Sequence, residues 1–139
     1  MRVYLALKYF EDQRNRPFVE EASRALAQRG LDVYCVARDL EGWGAVVVSP
    51  RDLMRASLAA LQGCDVVWVD LSEKGVGLGI EAGYGHAIGK PLLITAPRGT
   101  EVSTTLTGIA DEIVDYADVT EAVAGVARFC HARSNQRLP

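Results

Sequence analysis

Short runs of apolar and β-branched residues alternate with longer segments of helical periodicity along the whole chain, and this alternation strongly constrains the fold. The runs predict five strands, at residues 3–7, 32–37, 65–70, 91–96 and 112–115. Parallel strands need a crossover of a dozen or more residues, usually a helix, and the intervening segments are long enough to supply it. The sequence therefore predicts an α/β fold, a three-layer doubly wound (flavodoxin-like) five-stranded parallel sheet with helices on both faces.

Helix boundary signals support this arrangement. Ser49 can cap a helix in which Pro50 takes the first position and Asp52 lies near the positive end of the dipole. Another helix is expected to begin among the glycines of residues 75–79 and to end at Gly89.

The length of 139 residues suits one domain. We expect that domain to span residues 1–133, with residues 134–139 as a flexible C-terminal tail.

Charge and hydropathy limit the class of partner. The formal net charge is −3 and the basic residues are scattered, which argues against polymeric nucleic acid and against a polybasic membrane anchor. Met1 precedes a short strand-like run rather than a signal peptide, and no run has the length of a membrane span, so we expect a cytoplasmic protein. Cys35, Cys64 and Cys130 are predicted to be buried reduced thiols, and no residue cluster has metal-ligand spacing.

The most informative segment follows the third strand. Gly75, Gly77 and Gly79 alternate along a loop and helix start, where backbone can approach a ligand closely, and Glu81 follows in the first part of that helix. A dinucleotide fingerprint is disfavoured because the loop does not follow the first strand, and a phosphate-binding Walker A loop is excluded because no Gly-Lys-Ser/Thr follows. Glu81 is either a carboxylate presented to a ligand or one that compensates the helix dipole.

Residues 77–84, Gly-Leu-Gly-Ile-Glu-Ala-Gly-Tyr, followed by Gly89-Lys90, resemble a segment of the nucleoside 2-deoxyribosyltransferase family. That family includes the 2′-deoxynucleoside 5′-monophosphate N-hydrolases. The resemblance extends to residues 3–6, 9–15 and 103–111, and therefore covers most of the chain. The spacing of 16 between Asp65 and Glu81 looks more like the monophosphate hydrolases.

The resemblance implies cleavage of the N-glycosidic bond of a nucleoside or its 5′-monophosphate, by hydrolysis or by transfer to another base, without a metal or organic cofactor. Glu81 would be the nucleophile at C1′ and Tyr4 would orient it. Ser103 would reach the 5′ end of the sugar from a neighbouring subunit, which implies at least a homodimer with a shared active site. Without the resemblance, the sequence position of Ser103 predicts a helix N-cap.

Further substrate-binding candidates surround this pair. Lys8, on the first strand-to-helix loop, could hold a 5′-phosphate, or could simply be solvated. Gly77 and Gly79 would contribute backbone amides, with Asp12 as another polar candidate. In the Gly42-Trp43-Gly44 loop, the indole is either a lid over a base or a loop anchor.

At two positions the chain departs from the family. Ser57 stands where the family usually carries an aspartate, and Gly75 where it commonly has Asp or Ser. Ser57 keeps the direction of that side chain but lacks its acid–base capacity. Asp12, Asp70 or the loop amides are candidate substitutes.

The alternative function is a catalytically weak or inactive nucleotide-binding module of the same fold. A third interpretation is a receiver-like or purely structural domain.

Overall fold

The computed structural model describes residues 1–136, and its centre is one sheet of five parallel strands. The strands are β1 (Arg2–Ala6), β2 (Asp32–Cys35), β3 (Val66–Asp70), β4 (Leu92–Pro97) and β5 (Glu112–Tyr116). Their spatial order is β2-β1-β3-β4-β5, with every neighbouring pair parallel. This is the flavodoxin-like order, so the predicted fold class is confirmed.

Helices cover both faces of the sheet. They are α1 (Arg16–Ala27), α2 (Val36–Asp39), α3 (Pro50–Gln62), α4 (Val76–Ala87), α5 (Thr104–Ile109) and α6 (Val119–Gln136). A 3₁₀ turn at Gly42–Gly44 separates α2 from α3. One apolar core lies between the sheet and the pair α1 and α6, and the other lies beneath α3, α4 and α5.

The predicted start of α3 is confirmed. Ser49 is its N-cap and accepts a hydrogen bond from the backbone N–H of Asp52 at 3.2 Å, and Pro50 occupies the first position. The geometry satisfies one of the free amides at the start of a helix.

The observed strand bounds differ from the predicted ones by one residue in β1, β3, β4 and β5 and by two in β2, where the prediction is wrong. The second strand ends at Cys35 rather than at residue 37, because Asp39 accepts the Cys35 N–H at 2.8 Å and Arg38 donates to the carbonyl of Val33. These bonds fold the chain into α2. The last helix continues past residue 133 to Gln136, since no glycine or proline interrupts it there. Residues 134–136 are thus helical, and the rest of the predicted tail lies outside the described residues.

The alternation of side chains along β1 determines which face carries the site. Tyr4 and Ala6 belong to the core under α3 and α4, whereas Val3 and Leu5 belong to the opposite core. α4 lies close to β3 because Gly85 has no side chain. A Cβ there would be 2.8 Å from Cγ2 of Val67.

Within residues 1–136, no helix combines the length and apolar character needed to cross a membrane. The three cysteines are buried and form no disulfide.

Candidate active site

Tyr4 and Glu81 meet at the junction of β1 and α4. The Tyr4 hydroxyl donates a hydrogen bond to Oε1 of Glu81 at 2.6 Å. Tyr4 is fully buried in the middle of β1, next to β3 at the point where the strand order reverses, and its ring stacks on Tyr34 at 5.8 Å. The sheet therefore fixes the donor, and α4 brings the carboxylate to it. Ligands of such sheets bind at this kind of reversal point.

Burial controls the protonation of both groups. It raises the pKa of Tyr4 well above its ordinary value, and the charge of Glu81 raises it further, so Tyr4 remains a hydrogen-bond donor. Burial also raises the pKa of Glu81, while the bond from Tyr4 lowers it. Oε2 of Glu81 accepts no hydrogen bond within residues 1–136 and is available to a ligand.

Glu81 lines a cavity of about 180 Å³ at the carboxyl ends of β1 and β2. The walls come from β1, α2, α3 and α4, and the side chains with a polar atom in the lining are those of Tyr9, Cys35, Glu41, Ser57 and Glu81, with Gly77 beside them. The volume is below the roughly 300–1,000 Å³ of pockets that enclose drug-sized ligands. It therefore suits a sugar ring better than a whole nucleotide.

Ser57 lies in this cavity, as its position on the inward face of α3 predicts. It is buried, and its hydroxyl donates to the carbonyl of Leu53 at 2.8 Å. The hydroxyl also has a small effect on Tyr4, whose pKa it lowers against the stronger opposing effects of burial and of Glu81. Ser57 therefore lies beside Tyr4 but cannot exchange a proton at neutral pH.

Three other predicted residues lie apart from Glu81. Gly75, Gly79 and Ser103 line a second groove of about 650 Å³ between α4 and α5, and Glu81 is not part of its wall. Helical geometry explains the separation, because Gly75 and Gly79 are four residues apart on one face of α4, whereas Gly77 and Glu81 share a different face. Ser103 caps α5 by accepting the Leu106 N–H at 3.3 Å, as its spacing predicts.

Lys8 and Asp12 also lie outside the lining of the Glu81 cavity. Lys8 is exposed, and its side-chain carbons would be 3.8–3.9 Å from a Cβ at Gly75, the N-cap of α4. Asp12 is exposed and forms an ion pair with Arg14 at 2.8 Å.

Asp70 is bonded within the protein, on the opposite side of the sheet from Tyr4. It accepts hydrogen bonds from Thr95 at 2.7 Å, from Tyr116 at 3.0 Å and from the Ser72 N–H at 3.0 Å. It is fully buried and shares the face of β3 that carries Trp68. The candidate substitution of Asp70 for the missing aspartate is therefore wrong, because the sheet separates it from Glu81.

The Trp43 indole anchors its loop and does not form a lid over the cavity. Trp43 is 8% exposed, its indole N–H donates to Glu20 at 3.2 Å, and its carbonyl accepts from the Gln13 side chain at 2.7 Å. The loop so anchored brings Glu41 to the cavity wall, a residue that the sequence pattern did not single out. Its one available signal was its place just after the second strand, at the ligand-binding edge of the sheet.

Residues 1–136 contain no group of three or more histidine, cysteine or acidic side chains placed to hold a metal ion.

The chain is similar to a known protein over most of its length. It is 31% identical over 134 residues to a protein of Thermofilum pendens named "Putative 2′-deoxynucleoside 5′-phosphate N-hydrolase 1", covering 88% of this chain and 90% of that one. No family model matches the chain.

The fold occurs in many solved structures. The CMP N-glycosidase BcmB of Clostridium botulinum superimposes with a TM-score of 0.71 at 18% identity, over 93% of this chain and 99% of that one. The 2-deoxyribosyltransferase of Bacillus psychrosaccharolyticus superimposes with a TM-score of 0.69 at 18% identity, over 88% of this chain and 90% of that one.

Proposed function

The chain belongs to the nucleoside 2-deoxyribosyltransferase family, which includes the 2′-deoxynucleoside 5′-monophosphate N-hydrolases, and from that premise we propose that it hydrolyses the N-glycosidic bond of a 2′-deoxynucleoside 5′-monophosphate. The observation that carries the proposal is the carboxylate of Glu81, which is hydrogen-bonded to Tyr4 and lies at the wall of a cavity of sugar size.

In this reaction Glu81 is the nucleophile. Tyr4 holds Oε1, so Oε2 attacks C1′ as the bond to the base breaks. A half-buried carboxylate stabilises the positive charge of an oxocarbenium-like transition state more strongly than a hydrated one does. The product of this step is a glycosyl ester, which water then hydrolyses.

The 5′-phosphate is assigned to the N-terminus of α4. The aliphatic part of the Lys8 side chain lies beside Gly75, the N-cap, and from there its ammonium group can turn toward a phosphate at the positive end of the helix dipole. The similarity to the relative from Thermofilum pendens supports a monophosphate rather than a nucleoside.

A homodimer would complete the site. Ser103 is separated from Glu81 within one chain, and it borders the groove between α4 and α5. Exposed apolar side chains on α4, Val76 at 83% and Ile80 at 48%, lie next to that groove. We propose that a second copy covers this surface and supplies its Ser103 to the first copy's substrate.

The test is release of free base from a panel of nucleosides and nucleoside 5′-monophosphates. We expect base release from deoxyribonucleotides, its loss in Glu81→Gln, and no change in Glu21→Gln, which alters an exposed glutamate on α1. Mass spectrometry of acid-quenched protein should detect the glycosyl ester. Full activity of Glu81→Gln would remove the assigned nucleophile.

Two further arms distinguish the alternatives. Adding a second free base and finding an exchanged nucleotide would identify a transferase. Ligand-induced thermal stabilisation without base release would identify a nucleotide-binding module instead.

A further inference from the structure

We propose that Glu41 is the second carboxyl group of the active site, which protonates the departing base and then activates the hydrolytic water. This assignment rests on the proposed function, and it gives the cavity the proton donor that Ser57 cannot supply.

Glu41 and Glu81 line the same cavity from different elements. Glu41 follows α2 at the carboxyl end of β2, and Glu81 lies on α4. Glycosidases that form a covalent intermediate hold their paired carboxyl groups about 5–5.5 Å apart. A compact space of about 180 Å³ is roughly 7 Å across and can contain such a pair. The cavity therefore has the size at which one carboxylate can attack a sugar while another reaches its leaving group.

Within residues 1–136, Glu41 is the acidic residue near this site whose side chain has no partner. Asp39, two residues earlier, is bonded to Arg38 and to the Cys35 N–H. Glu20 on α1 accepts from the indole of Trp43. An unpaired carboxyl group at a cavity wall is available to a ligand, whereas these neighbours serve the structure.

The loop that carries Glu41 is fixed on both sides. The Glu41 carbonyl accepts the N–H groups of Gly44 at 2.9 Å and Val46 at 3.0 Å, and its own N–H donates to Val36 at 3.0 Å. Trp43 adopts a left-handed φ of 57° and is held by Gln13. Such bonding fixes the backbone from which the Glu41 side chain reaches the cavity, as a positioned catalytic group requires.

The surroundings favour a protonated Glu41. Burial raises the pKa of its carboxyl group. The titratable groups that line the cavity with it are Glu81, Tyr9 and Cys35, and no lysine or arginine is among the described lining residues. The bond from Tyr4 favours the ionised form of Glu81, whereas Glu41 has no such bond among the described residues to offset its burial, so the two carboxyl groups differ in what favours their charged forms.

The reaction then balances in two steps. In the first, Oε2 of Glu81 forms a bond to C1′, the bond from C1′ to the base nitrogen breaks, and the base takes the proton of Glu41. In the second, water attacks C1′ and gives a proton to the Glu41 carboxylate, and Glu81 leaves as a carboxylate. The products are the free base and 2-deoxyribose 5-phosphate, and both glutamates return to their starting states.

The experiment uses two substrates that differ in their need for a proton. Guanine must be protonated as it leaves 2′-deoxyguanosine 5′-monophosphate, whereas 7-methylguanine already carries the positive charge in its nucleotide. For a pyrimidine-selective protein, the matched pair is 2′-deoxyuridine 5′-monophosphate and its 5-nitro derivative. The variants are Glu41→Gln, Glu81→Gln and, as a control that keeps the acceptor for Trp43, Glu20→Gln.

For Glu41→Gln we expect kcat on the ordinary nucleotide to fall by about 10²–10⁴-fold, with a loss of about tenfold or less on the activated one. Glu81→Gln should lose both activities, and Glu20→Gln neither. Circular dichroism and thermal melting check that each variant is folded. In Glu41→Ala, added formate should restore part of the activity on the ordinary nucleotide.

The outcomes separate the two proposals. Equal losses on both substrates, or no loss on either, would show that Glu41 is not the proton donor while the hydrolase function stands. If the wild-type protein releases base from neither substrate, both the hydrolase function and the role of Glu41 are overturned.

Discussion

Replacing Gly85 by alanine tests whether the close packing of α4 on β3 positions the nucleophile. The new Cβ would be 2.8 Å from Cγ2 of Val67, whereas ordinary van der Waals contact begins at 3.4 Å. Val67 is fully buried and β-branched, so its side chain cannot easily turn away. The helix must therefore move away from the strand by about 0.6 Å.

Two energies oppose each other in this variant. An extra buried methyl group in a filled core costs about 1–3 kcal/mol, and alanine is better than glycine in a helix by about 1 kcal/mol. The expected net loss of unfolding free energy is about 0–2 kcal/mol, measured by urea denaturation with an unchanged slope.

The activity should fall further than the stability suggests. Glu81 is one helical turn from Gly85, and its 2.6 Å bond to Tyr4 would lengthen beyond the usual range for hydroxyl donors. Because a displacement of about 1 Å can cost 10²-fold in rate, we expect kcat/KM to fall roughly tenfold. The assay is base release at a temperature where the variant is fully folded.

Gly125→Ala is the matched control. In α6 the same substitution would place a Cβ 2.8 Å from Cγ1 of Val114, but on the other face of the sheet from Glu81. It should cost similar stability and leave kcat/KM within about twofold. Equal activity losses in the two variants, or stabilisation of Gly85→Ala by the full helix propensity of about 1 kcal/mol, would refute the reasoning.

Three further predictions concern the pair and its helix. Gly77→Ala should raise the unfolding free energy by about 0.5–1 kcal/mol, since nothing lies within 4 Å of the new Cβ. The same variant should lower kcat/KM because Gly77 lines the cavity, and a rise in both Tm and kcat/KM would contradict this prediction. Tyr4→Phe removes the bond that lowers the pKa of Glu81, so the acid limb of the pH profile of kcat/KM should move to higher pH, and an unmoved limb would exclude this role. Glu81→Gln should raise Tm at pH 7, because burial raises the folded-state pKa of Glu81 and the favourable contribution of its protonated form is lost as pH rises through that value. The Tm difference between variant and wild type should therefore shrink on acidification, and a difference independent of pH would argue against a desolvated carboxylate.

The fold could be predicted because its signals are local. The apolar runs of β1 to β5, the Ser49 cap of α3 and the crossover lengths each depend on neighbouring residues, and together they permit few topologies. The errors occur where side chains bond back to nearby backbone, as Asp39 does at the end of β2.

The candidate site could be predicted only in part. Tyr4 and Glu81 were paired through a family resemblance, and the structure brings them to 2.6 Å. Apart from its place after the second strand, no local pattern indicates that Glu41 lines the same cavity as Glu81, because its position depends on how the loop packs through Trp43 against α1.

The sequence by itself determined the layered parallel sheet and the presence of a glutamate on a glycine-rich helix after β3. Only the tertiary structure decided which residues share a cavity. The helical repeat places Gly77 and Glu81 on one face of α4 and Gly75 and Gly79 on another, and the alternation along β3 places Asp70 behind the sheet. Periodicity in a sequence shows that an element has two faces, but the packing of other elements against it determines which face surrounds the substrate.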